Sequence, residues 1–448
     1  MYENIQDQGY CTDNGTEDSV VLYPDLPQEW PYNCANMTPF WKGWQAWLAV
    51  RGFTLNLRPV STDPPSKAVS WYIPKCTSPA SESLPYAYCV REGESSRVWD
   101  DFPISKIGWA QDSEHHPIAF KLTYTGSDEY RIYQRLLNLA DSLSPTECCG
   151  VLRPVAILDT GRPFSFVAMP RWGHVGTVIK LRTVGEAMQF MRCTSQGLRL
   201  LHEIRVAHRD ITEWNMLMNC YNPYSSKNAR DLLYGHRSPS DVHYCIYDFD
   251  ISRIYPLNAP LNACRRPASD SYEGAPPYHP LDASCGEYYY DPFAFDVGCL
   301  GNLYRTFFST MVPLIPLLAP LFDKMTTHRV ADRFTAAQAA EFIESAFALL
   351  PESVLMTPVS LKTEWECVDD PDNYWTRTTV EFRKQWAHLR VPSLPLTSKL
   401  LMQFASSDVG WTLVCCSYLI RRAQSSMVQL GGPSATAWGC KATGKYTR

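Results

Sequence analysis

The 448-residue sequence predicts an α+β protein, with strands gathered in its first half and helices in its second. Residues 117–121, 151–157 and 165–169 are short apolar runs of strand length. Between residues 184 and 202, Ala187, Phe190, Met191, Leu198 and Leu201 recur on one helical face, and residues 314–350 continue as helices. Hydrophobic residues make up 45% of the chain, enough for one large domain with extensions to bury a substantial core.

Taken in order, residues 1–37 are expected to be a disordered arm, because they are polar and poor in aliphatic side chains. Residues 38–86 read as an N-terminal extension. Thr38 and Pro39 suit a first helical turn, aromatic and aliphatic residues recur at helical spacing through 39–50, and Gly52 suits the end. The tryptophans of this stretch fit a small packed core better than a ligand stack. Residues 53–57 alternate like a strand, and 59–86 are a Pro- and Ser-rich linker. Strand-like runs lie at 117–121, 151–157 and 165–169, and helical patterns follow over 184–202 and 314–350. An excursion at about 219–243, rich in Asn, Ser, Tyr and Arg, lies between the two helical patterns. Residues 351–448 form a tail with a helix expected over 375–389 and little pattern beyond Gly431.

The formal charge is −5, only 19% of residues are charged, and no basic block occurs. That excludes an electrostatic footprint for nucleic acid or an anionic membrane. The sixteen cysteines include no C-x-x-C pair, which argues against a zinc site. The N-terminus lacks the basic-then-apolar pattern of a signal peptide, and the longest apolar stretch, residues 410–420, is too short to span a bilayer. An intracellular protein with reduced thiols is the expectation.

One stretch organises the rest. His208-Arg209-Asp210 is followed by Asn215, five residues beyond the aspartate. Asp248-Phe249-Asp250 comes later, and upstream Lys121 follows Ile118-Ala119-Phe120. Glu129 opens a helical pattern, with Tyr133 one turn on. Asp296 and Arg333 lie downstream. A buried lysine needs a counter-charge to stay ionised, and Glu129 can supply it. A rigid loop can hold one carboxylate and one amide on the same side.

In residue type, order and spacing this set resembles the protein-kinase family, with its H-R-D-x-x-x-x-N loop, D-F-G triplet and V-A-I-K strand. The Phe40-Trp41 and Arg51-Gly52 lead, Met169-Pro170-Arg171, Val206-Ala207-His208 and Asp291-Pro292-Phe293 are similar to a kinase-like group from mushroom-forming fungi. The resemblance covers roughly residues 38–350. It implies a two-lobed fold: a small β-rich N-lobe (87–170) carrying an αC helix, and a larger, mostly helical C-lobe (171–350). It also implies ATP and Mg2+ as cofactors and a protein hydroxyl as acceptor, serine or threonine by default.

By the same resemblance, Lys121 grips the α- and β-phosphates with Glu129 behind it, and Asn215 and Asp248 hold the metal. Asp210 orients the acceptor hydroxyl. Ala119 and Leu217 flank adenine, and Met169 opens a hinge beside it. Tyr133 packs toward Phe249 and His208, Asp296 holds the catalytic-loop backbone, and Arg209 can receive an activation-loop phosphate from Ser269, Ser271 or Tyr272. Departures from the pattern matter. Gly93 is the one glycine kept in the best match to the phosphate-covering loop, and an ordinary surface turn explains it equally well. Thr212 stands where a lysine is usual, and Asp250 replaces the glycine of D-F-G. The A-P-E glutamate that would pair with Arg333 is missing, leaving Glu273 or Glu287 as substitutes. Two further functions therefore stand beside an active protein kinase: a pseudokinase scaffold and a small-molecule kinase of the aminoglycoside or choline type.

Overall fold

The computed structural model describes residues 38–56, 70–71, 83–89, 98–99, 106–139, 149–175, 178–221, 241–274, 276–284 and 288–391, with a few single positions up to 413. The arm at 1–37, Gly93 and its loop, Glu287, the interior of the excursion and the end of the tail lie outside the described residues. Within them the chain is a mixture of α and β elements.

Helix α1 (Thr38–Val50) ends on Gly52, whose φ of +85° is readily open to glycine. The Gly52 N–H donates to the Ala49 carbonyl and the Phe53 N–H to that of Leu48, both at 3.0 Å, which satisfies two carbonyls of the last turn. The strands β1 (Thr54–Leu55), β2 (Ile107–Gln111), β3 (Pro117–Tyr124), β4 (Ala156–Asp159) and β5 (Phe164–Pro170) build one antiparallel sheet in the order β1-β2-β3-β5-β4. Residues 38–56 thus contribute a helix and an edge strand to this sheet layer.

The alternation of side chains along β3 and β5 sorts the sheet into two faces. Ile118, Phe120, Leu122, Phe164, Phe166 and Ala168 pack with Phe40, Trp41, Trp44 and Leu48 of α1. Val167 and Met169 belong instead to the main core on the other side. The tryptophans of α1 are therefore core residues: Trp44 meets Phe166 edge-on at 5.3 Å between ring centroids. Gly108 permits this packing, because a Cβ there would lie 2.6 Å from the Trp41 ring. Gly108→Val is expected to destabilise the protein by about 2 kcal/mol, read by urea denaturation; an unchanged midpoint would contradict the packing.

A strap at residues 83–89 crosses from this sheet to the second layer. Tyr86 stacks on His116 at 3.6 Å, Trp172 Nε1 donates to the Pro85 carbonyl at 2.8 Å, and Tyr88–Cys89 pairs in parallel with Cys220–Tyr221.

Helix α2 (Asp128–Asn138) starts where Ser127 accepts the Tyr130 N–H, and it buries Glu129, Ile132, Tyr133 and Leu136. After β5 comes the short β6 (Gly173–His174). The long α3 (Val184–Glu203), capped by Thr183, then delivers the chain to β7 (Val206–Ala207). Strands β8 (Met216–Met218) and β9 (Tyr244–Ile246) pair antiparallel, with β6 on the other edge of β8, and β7 pairs with β10 (Arg253–Ile254). The helices α4 (Pro292–Phe308), α5 (Leu318–Thr326) and α6 (Ala336–Ala348) complete the core; α6 packs on α3 and α5 on α4.

The excursion is closed at its base, where the Asn219 N–H donates to the His243 carbonyl and the Asn219 side chain accepts the His243 N–H. Where one helix was expected over 375–389, the tail has the short helices Asp372–Thr376 and Val380–Gln385. Buried Tyr374 and Trp375 anchor it by donating to Asp323 of α5. No helix among the described residues is long and apolar enough to cross a membrane.

Candidate active site

Three elements meet around Lys121. It projects from the centre of β3, paired with Ile107 and Val167 on the neighbouring strands, and is 5% exposed. Glu129 on the first turn of α2 forms an ion pair with its Nζ. The same Nζ lies 2.5 Å from Asp248 Oδ1 and 3.2 Å from Asp250 Oδ1.

The ladder between β8 and β9 explains how distant residues arrive together. Met216 pairs with Ile246, and the Tyr247 N–H donates to the Asn215 carbonyl at 3.1 Å. Asn215 and Asp248 therefore emerge at the same end of one strand pair. Asn215 Nδ2 donates to Asp210 Oδ2 at 2.7 Å and to the Asp210 carbonyl at 2.9 Å. This leaves the Asn215 carbonyl oxygen as the atom of that side chain able to ligate a cation.

A buried carboxylate fixes the loop from below. Asp296, wholly buried on α4, accepts the N–H groups of His208 and Arg209, each at 2.7 Å, and lies 3.2 Å from His202 Nε2. Asp291 and Pro292 start that helix: the Asp291 side chain accepts from Phe293 and Ala294, and Pro292 sits where no N–H is needed. His208 is fully engaged. Its Nδ1 accepts the Asp210 N–H and its Nε2 donates to the Tyr247 carbonyl at 2.9 Å. Phe249 lies between two rings, 5.4 Å from Tyr133 and 5.5 Å from His208. Arg209 and Asp248 both adopt positive φ, +71° and +69°, the kind of backbone strain that collects at functional sites.

Arg209 is buried and its guanidinium is occupied. It donates to the Tyr290 hydroxyl at 2.8 Å, to the carbonyls of Ile251 and Asp270, and to the Glu273 carboxylate at 2.9 Å. Ser271 is buried as well, its hydroxyl donating to the Ala268 carbonyl. A carboxylate of the segment itself thus sits where a phosphate on that segment was envisaged. Glu273→Gln is expected to cost about 1 kcal/mol, since Glu273 is half exposed, and to speed proteolysis within residues 251–274; unchanged cleavage would contradict the anchoring. Glu273 is not the partner of Arg333. Arg333 pairs with Asp282 and donates to the carbonyls of Thr327 and Ala294. No local pattern marks Asp282, because the pair spans two turns far apart in the chain.

Ala119 and Met169 are direct neighbours across β3 and β5, and Leu217 pairs with His174 on the β8 edge. Pro170 follows, and the Arg171 N–H is used by the Pro117 carbonyl.

Charge sets the chemistry of the cluster. Burial would lower the Lys121 pKa, but Tyr133, Asp248, Glu129 and Asp250 outweigh it and hold the ammonium well above its usual range. Burial pushes the Glu129 carboxyl up to about 7 against the pull of Lys121, and Asp250 adds to the rise. Burial also works to raise Asp250, yet Lys121, a hydrogen bond from Glu129, and Lys106 bring it down to about 2. Glu129 therefore exchanges its proton near neutrality, while Asp250 stays ionised. A carboxyl whose pKa is raised by folding favours the fold below its unfolded value and loses that contribution as pH climbs through about 7. Wild type is thus expected to lose about 2 kcal/mol relative to Glu129→Gln between about pH 5 and 8, measured by denaturation across that range. A constant difference would contradict the raised Glu129 pKa.

Oxygens of Glu129, Asp248 and Asp250 lie within 4.8 Å of one another. These three carboxylates are hard oxygen donors, a type that suits magnesium or calcium better than zinc. No family model and no curated protein matches this chain.

Proposed function

We propose that this chain is a protein kinase with the two-lobed kinase fold, the sheet layer with α2 forming the small lobe and the helical layer the large one. The observation that carries the reading is the meeting at Lys121: a strand lysine, a helix glutamate and Asp248, the last stitched through Tyr247 to the loop bearing Asp210 and Asn215. Lys121 holds the nucleotide phosphates and Glu129 holds Lys121. Asp210, oriented by Asn215, takes up the proton of an acceptor hydroxyl as that oxygen attacks the γ-phosphorus, whose bond to the β–γ bridging oxygen breaks to release ADP. Asp248 and the side-chain oxygen of Asn215 would hold Mg2+, which when bound would neutralise phosphate charge. Catalysis of this kind is positioning and charge stabilisation, so the set matters more than any member.

A second reading, a scaffold without turnover, draws on Asp250 at Lys121 and on Thr212, which cannot neutralise a phosphate. An assay of γ-labelled Mg·ATP with the protein itself, generic protein acceptors, and sugar or amino-alcohol acceptors separates the readings. Label on serine or threonine is the expected result. Label only on small alcohols would move the function to small-molecule kinases, and binding without transfer would favour the scaffold.

A further inference from the structure

The carboxylate two residues beyond Asp248 turns back onto the same lysine. Nζ of Lys121 meets Glu129, Asp248 Oδ1 at 2.5 Å and Asp250 Oδ1 at 3.2 Å. The ammonium donates a hydrogen bond to Asp248 and makes close charge contacts with Glu129 and Asp250, so three carboxylates crowd one cation. The other Asp250 oxygen lies 3.6 Å from Nζ of Lys106. With every group ionised, two lysines face three carboxylates, an excess of one negative charge.

The three partners are not equivalent. The Glu129 side chain is 9% exposed on a helix and that of Asp248 35% exposed on a backbone turned to positive φ. The side chain of Asp250 is 45% exposed, stands on the turn closed by the Ser252 N–H donating to the Phe249 carbonyl, and makes the longest contact of the three. It is the partner an incoming anion meets first and the one most easily moved.

We propose that Asp250 is a latch on Lys121: in the nucleotide-free protein its carboxylate pairs with the ammonium charge that a nucleotide phosphate would meet, so nucleotide binding must displace it. Asp250 is then a positioning residue that sets the affinity of the phosphate site. The inference rests on the phosphotransfer reading of that site. Lys106 is the built-in receiver for the displaced carboxylate, because it already holds its second oxygen.

The test is calorimetric titration of the full chain with Mg·ATP and, separately, with magnesium triphosphate, which lacks the base. Asp250→Asn keeps the side-chain shape and removes the charge; Asp250→Ala is the second variant, and melting curves check that both fold. The latch requires about a 5–10-fold fall in Kd for both probes in either variant. It also requires that fall to vanish in a Lys121→Met background. Binding by the variants where wild type binds neither probe is the same result in stronger form. Unchanged Kd, with wild type binding and Lys121→Met not binding, overturns the latch and leaves the phosphate site standing. Weaker binding by Asp250→Asn overturns it too, by making Asp250 a cation ligand. Binding of neither probe by any folded variant overturns the phosphotransfer reading itself.

Discussion

Asp296→Ala is expected to leave little folded protein. The substitution strips the acceptor from two buried backbone N–H groups, those of His208 and Arg209, and from His202. An unsatisfied buried donor costs about 1–3 kcal/mol, so the total is about 4 kcal/mol, a large share of the 5–15 kcal/mol typical of a domain. Asp296→Asn keeps one acceptor oxygen and is expected to lose about half as much. Urea denaturation of the two variants reads the difference. A loss below about 1 kcal/mol for alanine would mean that Asp296 does not hold the loop.

Lys121→Met has the second large effect, and it differs with pH. Methionine fills similar volume but leaves Glu129, Asp248 and Asp250 facing one another without their shared cation. Removing one partner of a buried ion pair costs about 3–5 kcal/mol. At acidic pH the stranded carboxyls take up protons, so the penalty shrinks there and grows above pH 7, where wild-type Glu129 itself ionises. Under the proposed function, phosphate transfer is expected to fall at least about 100-fold at every pH, because the charge assigned there to the phosphates is gone. Denaturation at two pH values, with transfer measured beside it, checks both parts. A penalty that does not vary with pH would contradict the shared-cation description.

Much of the local structure is legible in the residues. The apolar run at 117–121 lies in β3, the periodicity at 184–202 marks α3, and Gly52 ends α1, because each depends on neighbours close in the chain. Long-range pairings were not legible. The edge strand Thr54–Leu55 joins Ala110 and Gln111 of β2, far along the chain, beneath the aromatic face of α1 and with no local signal for the pairing. Arg333 was expected to pair with Glu273 or Glu287, yet Glu273 serves Arg209 and the Arg333 partner is Asp282. Charge type was readable there; which carboxylate a fold brings to which guanidinium was not. Asp250 shows the same limit. The sequence marks it as a replaced glycine, but only the turn after Phe249 reveals that it reaches Lys121 and Lys106.

The most direct measurement is transfer of labelled γ-phosphate from Mg·ATP by wild type and by Asp210→Asn, each shown to be folded by its melting curve. Asparagine keeps the shape of the side chain and a contact to Asn215 while removing the proton acceptor. Transfer by wild type that falls by about 100-fold or more in the variant is the expected result. Equal transfer by both proteins, or none by folded wild type, would contradict the assignment of Asp210 and the phosphotransfer function.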